Sequence, residues 1–160
     1  MLSRIPLKVD SLSIKREVVL AEPTNEDSVF VIKNIPAFVY GVALGDLIKV
    51  TDSESGDFCI LNRSGQVTLR AYIDGTLDRQ DIKLLIDEIT AVGGVFEVGA
   101  NKASAVETSL LLVSIDVAKG FQLVESLMKK FSAMGGQWEY GNIYDQDENP
   151  LNWWSSHSSC

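Results

Sequence analysis

The feature that most constrains the fold is a phrase written twice. Residues 91–99 read AVGGVFEVG and residues 133–141 read AMGGQWEYG, after the runs LLIDEIT and SLMKKFS. Each copy predicts an amphipathic helix, a Gly-Gly stop and an alternating strand. Ile82, Leu85, Ile86 and Ile89 fall at helical spacing, and Phe121, Val124, Leu127, Met128 and Phe131 repeat the stripe. Thr76 or Asp78 is the expected N-cap of the first helix. One glycine of each pair is expected in the left-handed conformation that residues with a β-carbon avoid. A phosphate cradle would place its glycines before a helix, whereas these follow one.

Upstream the period is that of strands. REVVLAEP, SVFVIKNI, DLIKVTD, DFCILNRS and QVTLRAYID are short runs rich in Val, Ile, Leu and Phe, separated by TNED, ALG, SESG and RSG. Their spacing predicts a small, strongly bent antiparallel sheet or partial barrel. TSLLLVSID (108–116) is almost continuously apolar, as a central strand would be. From residue 66 the order reads β-α-β-β-α-β. The expected class is therefore α+β, an N-terminal small antiparallel β subdomain (partial barrel) followed by a ferredoxin-like βαββαβ unit. The expected divisions are an arm over 1–13, the β-rich subdomain over 14–65, the ferredoxin-like unit over 66–144 and an acidic, Trp-containing tail over 145–160.

Two stretches, KNIPAFVYGVALGDLIKV (33–50) and LNRSGQVTLRAYI (61–73), carry a family pattern. Asn34–Pro36, Phe38, Tyr40, Gly41, Gly45, Asp46, Ser64, Gly65, Thr68 and Arg70 stand at its positions. Over roughly residues 17 to 141 the chain resembles a bacterial family catalogued as a domain of unknown function, number 4265. The resemblance brings no catalytic residues with it, so it bears on fold more than on function.

Charge and composition narrow the function. The formal net charge is −8, which argues against binding a phosphate backbone, since that requires clustered Lys and Arg. It suits both solubility and steering toward a basic partner. No apolar run approaches the roughly 18 residues of a membrane span, and MLSRIPLKVD lacks the features of a secretory signal, so the cytoplasm is the expected location. Two cysteines, Cys59 and Cys160, make no disulfide framework. His157 stands in a Ser-rich terminus, where nothing holds it as a catalytic base or as part of a closed zinc site.

The chemical candidates are few. Glu97 and Glu139 occupy equivalent positions in the two repeats and would form a carboxylate dyad if they shared a cleft, whereas alternation alone makes them solvated strand residues. Asp46 and Arg70 read as a buried pair, or as a turn residue and an anion receiver, with structural roles favoured. Cys59, flanked by apolar residues, reads as a core filler rather than a nucleophile. The segment VGANKASAVET (98–108) is long enough for a ligand loop, with Lys102 its cation.

The tail YDQDENPLNWWSSHSSC carries the strongest composition signal. Asp145, Asp147, Glu148, Trp153 and Trp154, with Glu139 on the adjoining strand, form the composition of a docking surface: rings as anchors, acids for orientation and on-rate. The rival reading is a tail with one Trp folded back on the domain. The expected function is a non-catalytic protein-binding module, an immunity (antitoxin) protein that neutralises a cognate bacterial toxin by direct binding of a basic toxin domain. The alternative is a small-molecule-sensing regulatory domain. No catalytic residue, cofactor or metal is expected, neither nucleic acid nor membrane is an expected partner, and pairing of two copies stays open.

Overall fold

The computed structural model describes residues 1–9, 14–101 and 107–155. The first half is a five-stranded antiparallel meander of β1 (Ser3–Lys8), β2 (Arg16–Pro23), β3 (Val29–Ile32), β4 (Leu47–Asp52) and β5 (Asp57–Asn62), paired in chain order. Alternation sends Leu7, Val19, Ala21, Ile32 and Ile48 to one face, where Val39 and Val42 of the β3–β4 connection join them. The two ends of the meander approach each other: the Lys8 N–H donates to the Gly56 carbonyl at 3.0 Å. Gly56 has φ +82°, and a β-carbon there would sit 2.8 Å from the Lys8 nitrogen, so the β4–β5 turn and β1 meet only through a glycine.

The second sheet holds β6 (Gln66–Asp74), β7 (Val95–Asn101), β8 (Thr108–Asp116) and β9 (Gln137–Tyr140) in the order β7-β8-β6-β9, all antiparallel. Helices α1 (Gln80–Ala91) and α2 (Phe121–Ala133) cover one face. They bury Ile82, Leu85 and Ile89, and Val124, Leu127, Met128 and Phe131, against Leu69, Ala71, Leu111, Val113 and Ile115. Neither Thr76 nor Asp78 caps α1. The N-cap residue is Arg79, the Thr76 hydroxyl accepts the Asp78 N–H at 3.0 Å, and Asp78 pairs with Lys83.

The doubled Gly-Gly is two devices in sequence. Gly93 and Gly135 take φ +86° and +94°, reversing the chain's hand at the helix end. Gly94 and Gly136 then donate to the carbonyls of Ile89 (2.9 Å) and Phe131 (3.2 Å), the wide loop that closes a Schellman cap. A β-carbon at Gly94 would lie 2.7 Å from Ile89 Cγ2, and one at Gly136 would lie 2.1 Å from Phe131 Cε1. The first glycine of each pair thus supplies handedness and the second supplies close approach.

This architecture corrects the expected fold class. Nine strands in two antiparallel sheets, with two helices, make the described chain mostly β rather than a β subdomain followed by a ferredoxin-like unit. The repeat reports only on the face that the second sheet turns toward its helices. It says nothing of the opposite face, which residues 34–40 of the first half cross. Ser3–Lys8, within the segment read as an arm, pairs with β2 as a strand. Lys102, His157 and Cys160 lie outside the described residues. Among the described residues no helix is long and apolar enough to cross a membrane, and no group of three or more His, Cys, Asp or Glu is placed to hold a metal ion.

Candidate functional site

Register sets the site. Leu112 of β8 stands opposite both Glu97 and Arg70, and Arg70 stands opposite Glu139, so Glu97, Leu112, Arg70 and Glu139 form one row across β7-β8-β6-β9. All four point away from the helices. Glu97 and Glu139 are three strand spacings apart, about 14 Å. They do not form a dyad, and neither is a merely solvated strand residue. The Glu97 carboxylate accepts the Ile35 N–H at 2.5 Å, and Glu139 belongs to a separate cluster.

The segment over residues 34–40 is held down by side chains from both sheets. Glu17 of β2 accepts three successive backbone N–H groups, from Ala37 (2.6 Å), Phe38 (2.9 Å) and Val39 (2.9 Å). Asn34 accepts the Leu20 N–H at 2.7 Å. From beneath, Arg70 donates to the carbonyls of Phe38 and Val39. The segment is too irregular to pair its backbone with a strand, and charged side chains satisfy it instead. That accounts for several residues of the family pattern: Asn34, Phe38, Tyr40 and Arg70 build one strap.

Arg70 is 1% exposed. Its charge is balanced by the two carbonyls, by the Tyr40 ring 4.7 Å beneath the guanidinium, and by Glu139 at 3.7 Å. Glu139 accepts hydrogen bonds from the phenol of Tyr40 (3.1 and 3.0 Å) and from that of Tyr72 (3.4 Å). Burial, then the Glu139 charge, raises the pKa of both phenols, that of Tyr72 to about 12. Both therefore stay protonated and donate at neutral pH. Arg70 and Asp46 are both buried but do not pair with each other. Asp46 accepts the N–H groups of Ala43 (2.9 Å) and Ser64 (2.8 Å) and has Arg63 at 3.7 Å, the turn role that its place after Gly45 suggested. Burial raises the Asp46 pKa against these contacts. Cys59 sits half-buried on β5 opposite Lys49, outside the core cluster of its sheet.

The tail residues separate into two groups. Trp153 is 7% exposed, belongs to the helix-side core and donates its indole N–H to the Asn142 carbonyl at 2.7 Å. Trp154 is half-buried, edge-on to Phe121 and to Trp153. Both rings pack against their own domain. The acids remain outside in a tight turn. Asp145 accepts the N–H groups of Asp147 and Asn149, each at 2.9 Å, and these bonds, with that of Asn149 first, hold its carboxyl below the ordinary aspartate range. Tyr144 bridges to Pro150 across the turn.

That turn forms one wall of a cleft of about 410 Å³, lined by Tyr40, Glu139, Tyr140, Tyr144, Asp145, Gln146 and Glu148. Three tyrosines and three carboxylates face it, and among the described residues no Lys or Arg lines it. The Tyr140 phenol donates to Glu125 at 3.0 Å. A smaller cleft of about 290 Å³ shares Tyr40, Glu139 and Gln146 and reaches Arg70 and Tyr72. Of the residues singled out in the sequence, the structure brings Glu139, Asp145 and Glu148 to the larger cleft, whereas Asp147 and the two tryptophans do not line it. Sequence reasoning named Tyr40 only as part of the family pattern and missed Tyr72, Tyr140 and Tyr144. One signal was present: Arg70 and Tyr72 are two residues apart on a strand, hence on one face.

Comparison with known proteins is consistent with this frame. A solved chain described as a hypothetical protein from Neisseria gonorrhoeae superposes with a TM-score of 0.64 at 19% identity, covering 88% of this chain and 94% of that one. At that identity the likeness speaks to fold alone. No curated protein gives a significant match. The family model described as "Domain of unknown function (DUF4265)" matches residues 17–140, the span that holds both sheets' strands from β2 to β9 and the strap between them, and the chain belongs to that family.

Proposed function

We propose that the chain is a non-catalytic protein-binding module that receives a basic side chain of a protein partner in the tyrosine-and-carboxylate cleft. The carrying observation is the cleft's lining: Glu139, Asp145 and Glu148 beside Tyr40, Tyr140 and Tyr144, with no cation among them. Carboxylates attract and orient a cation, and tyrosine faces contact it with little loss of side-chain freedom. The net charge of −8 adds long-range steering. In this reading Trp153 and Trp154 fasten the turn that carries the acids, rather than anchoring the partner directly. A cytoplasmic immunity protein holding a basic toxin domain is the form of the function that small size, acidity and a non-catalytic cleft suit best.

The test is capture from host lysate at low and high salt, with the wild type and with Glu148→Lys as baits. A stoichiometric basic protein held at low salt, weakened by salt and lost with Glu148→Lys supports the reading. Equal capture by both baits removes the cleft from it. A second reading, small-molecule sensing, has its own observation. A crevice of about 340 Å³ runs between the strap and the second sheet, lined by Phe38, Leu110 and Leu112 together with Glu17 and Glu97. A metabolite that occupies it would raise the melting temperature by mass action.

A further inference from the structure

Both copies of the doubled phrase end in glycine, and the two final glycines differ in what they do. At Gly141 a β-carbon would lie 2.8 Å from Thr68 Cγ2, so the chain leaving β9 passes β6 only as a glycine. At Gly99 a β-carbon would meet nothing nearer than Leu110, at 3.9 Å, which is an ordinary contact. Nor does Gly99 take a positive φ. Neither packing nor backbone conformation therefore requires a glycine there. Glycine inside a strand weakens it, and it often marks a place where a ligand or another backbone comes close. Gly99 stands opposite Leu110 and two residues from Glu97, on the same face of β7. Its missing side chain opens onto the crevice between the strap and the second sheet.

We infer that this crevice binds a primary ammonium group carried on an apolar body, with the body over Leu110 and Leu112 in the space left at Gly99 and the ammonium on Glu97. The inference rests on the small-molecule reading of the crevice and names the class of its ligand. Leu110, Leu112 and Phe38 supply apolar walls, and the volume of about 340 Å³ suits a small ligand. Charge then selects the head group. Glu17 and Glu97 line the crevice, and among the described residues no Lys or Arg does, so an apolar acid is repelled. The two carboxylates are not equally occupied. Glu17 uses both oxygens on the N–H groups of Ala37, Phe38 and Val39. Glu97 accepts the Ile35 N–H through Oε2, and among the described residues its Oε1 accepts nothing. An ammonium donating to that oxygen gains a charge-assisted bond, whereas a hydroxyl gains a weaker, neutral-donor one.

NMR titration of the ¹⁵N-labelled full chain with 2-phenylethylamine, and in parallel with 2-phenylethanol, tests this. The amine is expected to give saturable shifts at Phe38, Gly99, Leu110 and Leu112, and to bind about tenfold or more tighter than the alcohol. Glu97→Gln keeps an acceptor for the Ile35 N–H and removes the charge, so it should bring the amine down to the alcohol's affinity. Gly99→Leu fills the crevice from a position with room for a β-carbon. It should keep the wild-type melting temperature or exceed it, and lose the amine. Alcohol bound in the crevice as tightly as amine would overturn the ammonium assignment while the small-molecule reading stands. No shift at the crevice with either probe would overturn both. Amine shifts confined to Tyr144 and Glu148, or a folded Gly99→Leu variant that binds the amine like the wild type, would overturn the location.

Discussion

Gly136→Ala is expected to be costly for a reason that a second substitution can remove. Its new β-carbon would lie 2.1, 2.5 and 2.8 Å from Cε1, Cδ1 and Cζ of Phe131, all well inside the ~3.5–4.0 Å of a carbon–carbon contact. Phe131 is 0% exposed, so its ring has no solvent side to move into. Overpacking of this kind costs about 1–3 kcal/mol, and the upper end applies because the overlap exceeds 1 Å. Loss of glycine's freedom in the unfolded chain returns about 0.4–1 kcal/mol. The net destabilisation is then about 2 kcal/mol, read as a lower urea midpoint at unchanged slope. In a Phe131→Leu background the clash partner is gone, and the cost of Gly136→Ala should fall below about 0.5 kcal/mol, a coupling of roughly 1.5 kcal/mol. Gly135→Ala is the control. A β-carbon there meets nothing within 4 Å, so its cost of about 1–3 kcal/mol comes from φ +94° alone and should not depend on Phe131. Equal coupling for both glycines, or a Gly136→Ala variant as stable as the wild type, would refute the division of roles.

Three further outcomes follow from the strap and the cluster beneath it. Arg70→Met removes the donor from the carbonyls of Phe38 and Val39 and should cost about 2–4 kcal/mol in urea unfolding, with Arg70→Lys intermediate because one ammonium cannot reproduce the planar fork. Glu17→Ala frees three backbone N–H groups and should accelerate hydrogen exchange at Ala37, Phe38 and Val39 before it changes exchange in β8. Tyr72 titrates near 12 in the folded protein against an ordinary 10.0, so the folded state holds its proton longer. Its contribution to stability is present below pH 10 and is lost as pH rises toward about 12. Tyr72→Phe should flatten the fall in stability across that window, and an unchanged slope would place Tyr72 outside the cluster.

How much of this was legible depends on which face of each element is asked about. Strands such as Arg16–Pro23, Gln66–Asp74 and Thr108–Asp116 follow the apolar runs residue for residue, because one-sided burial writes its period into the sequence. The helix stripes hold for the same reason, with Ile86 half-buried at the margin. The overall class was misjudged because the repeat describes only the helix-facing side of one sheet. The opposite side is covered by residues 34–40, whose contacts with Glu17, Glu97 and Arg70 span up to 62 positions and leave no periodic trace. For the site, Glu139, Asp145 and Glu148 could be chosen from composition. Trp153 could not be placed, since a tail tryptophan reads the same whether it docks on a partner or on Asn142 of its own chain. The tyrosines were invisible as a group: Tyr140 and Tyr144 stand in one stretch, but Tyr40 lies far upstream in the first half, and only the fold brings it to them.

The central claim is that a defined cleft, and not diffuse negative charge, receives a cation. Its most direct test is an NMR titration of the ¹⁵N-labelled chain with a short arginine-containing peptide and, in parallel, with the same peptide carrying citrulline. The account predicts shifts centred on Glu139, Tyr144, Gln146 and Glu148 that saturate, weaken with salt and are absent with citrulline. Shifts spread in proportion over all exposed acids, Glu26 and Asp87 as much as Glu148, would contradict it.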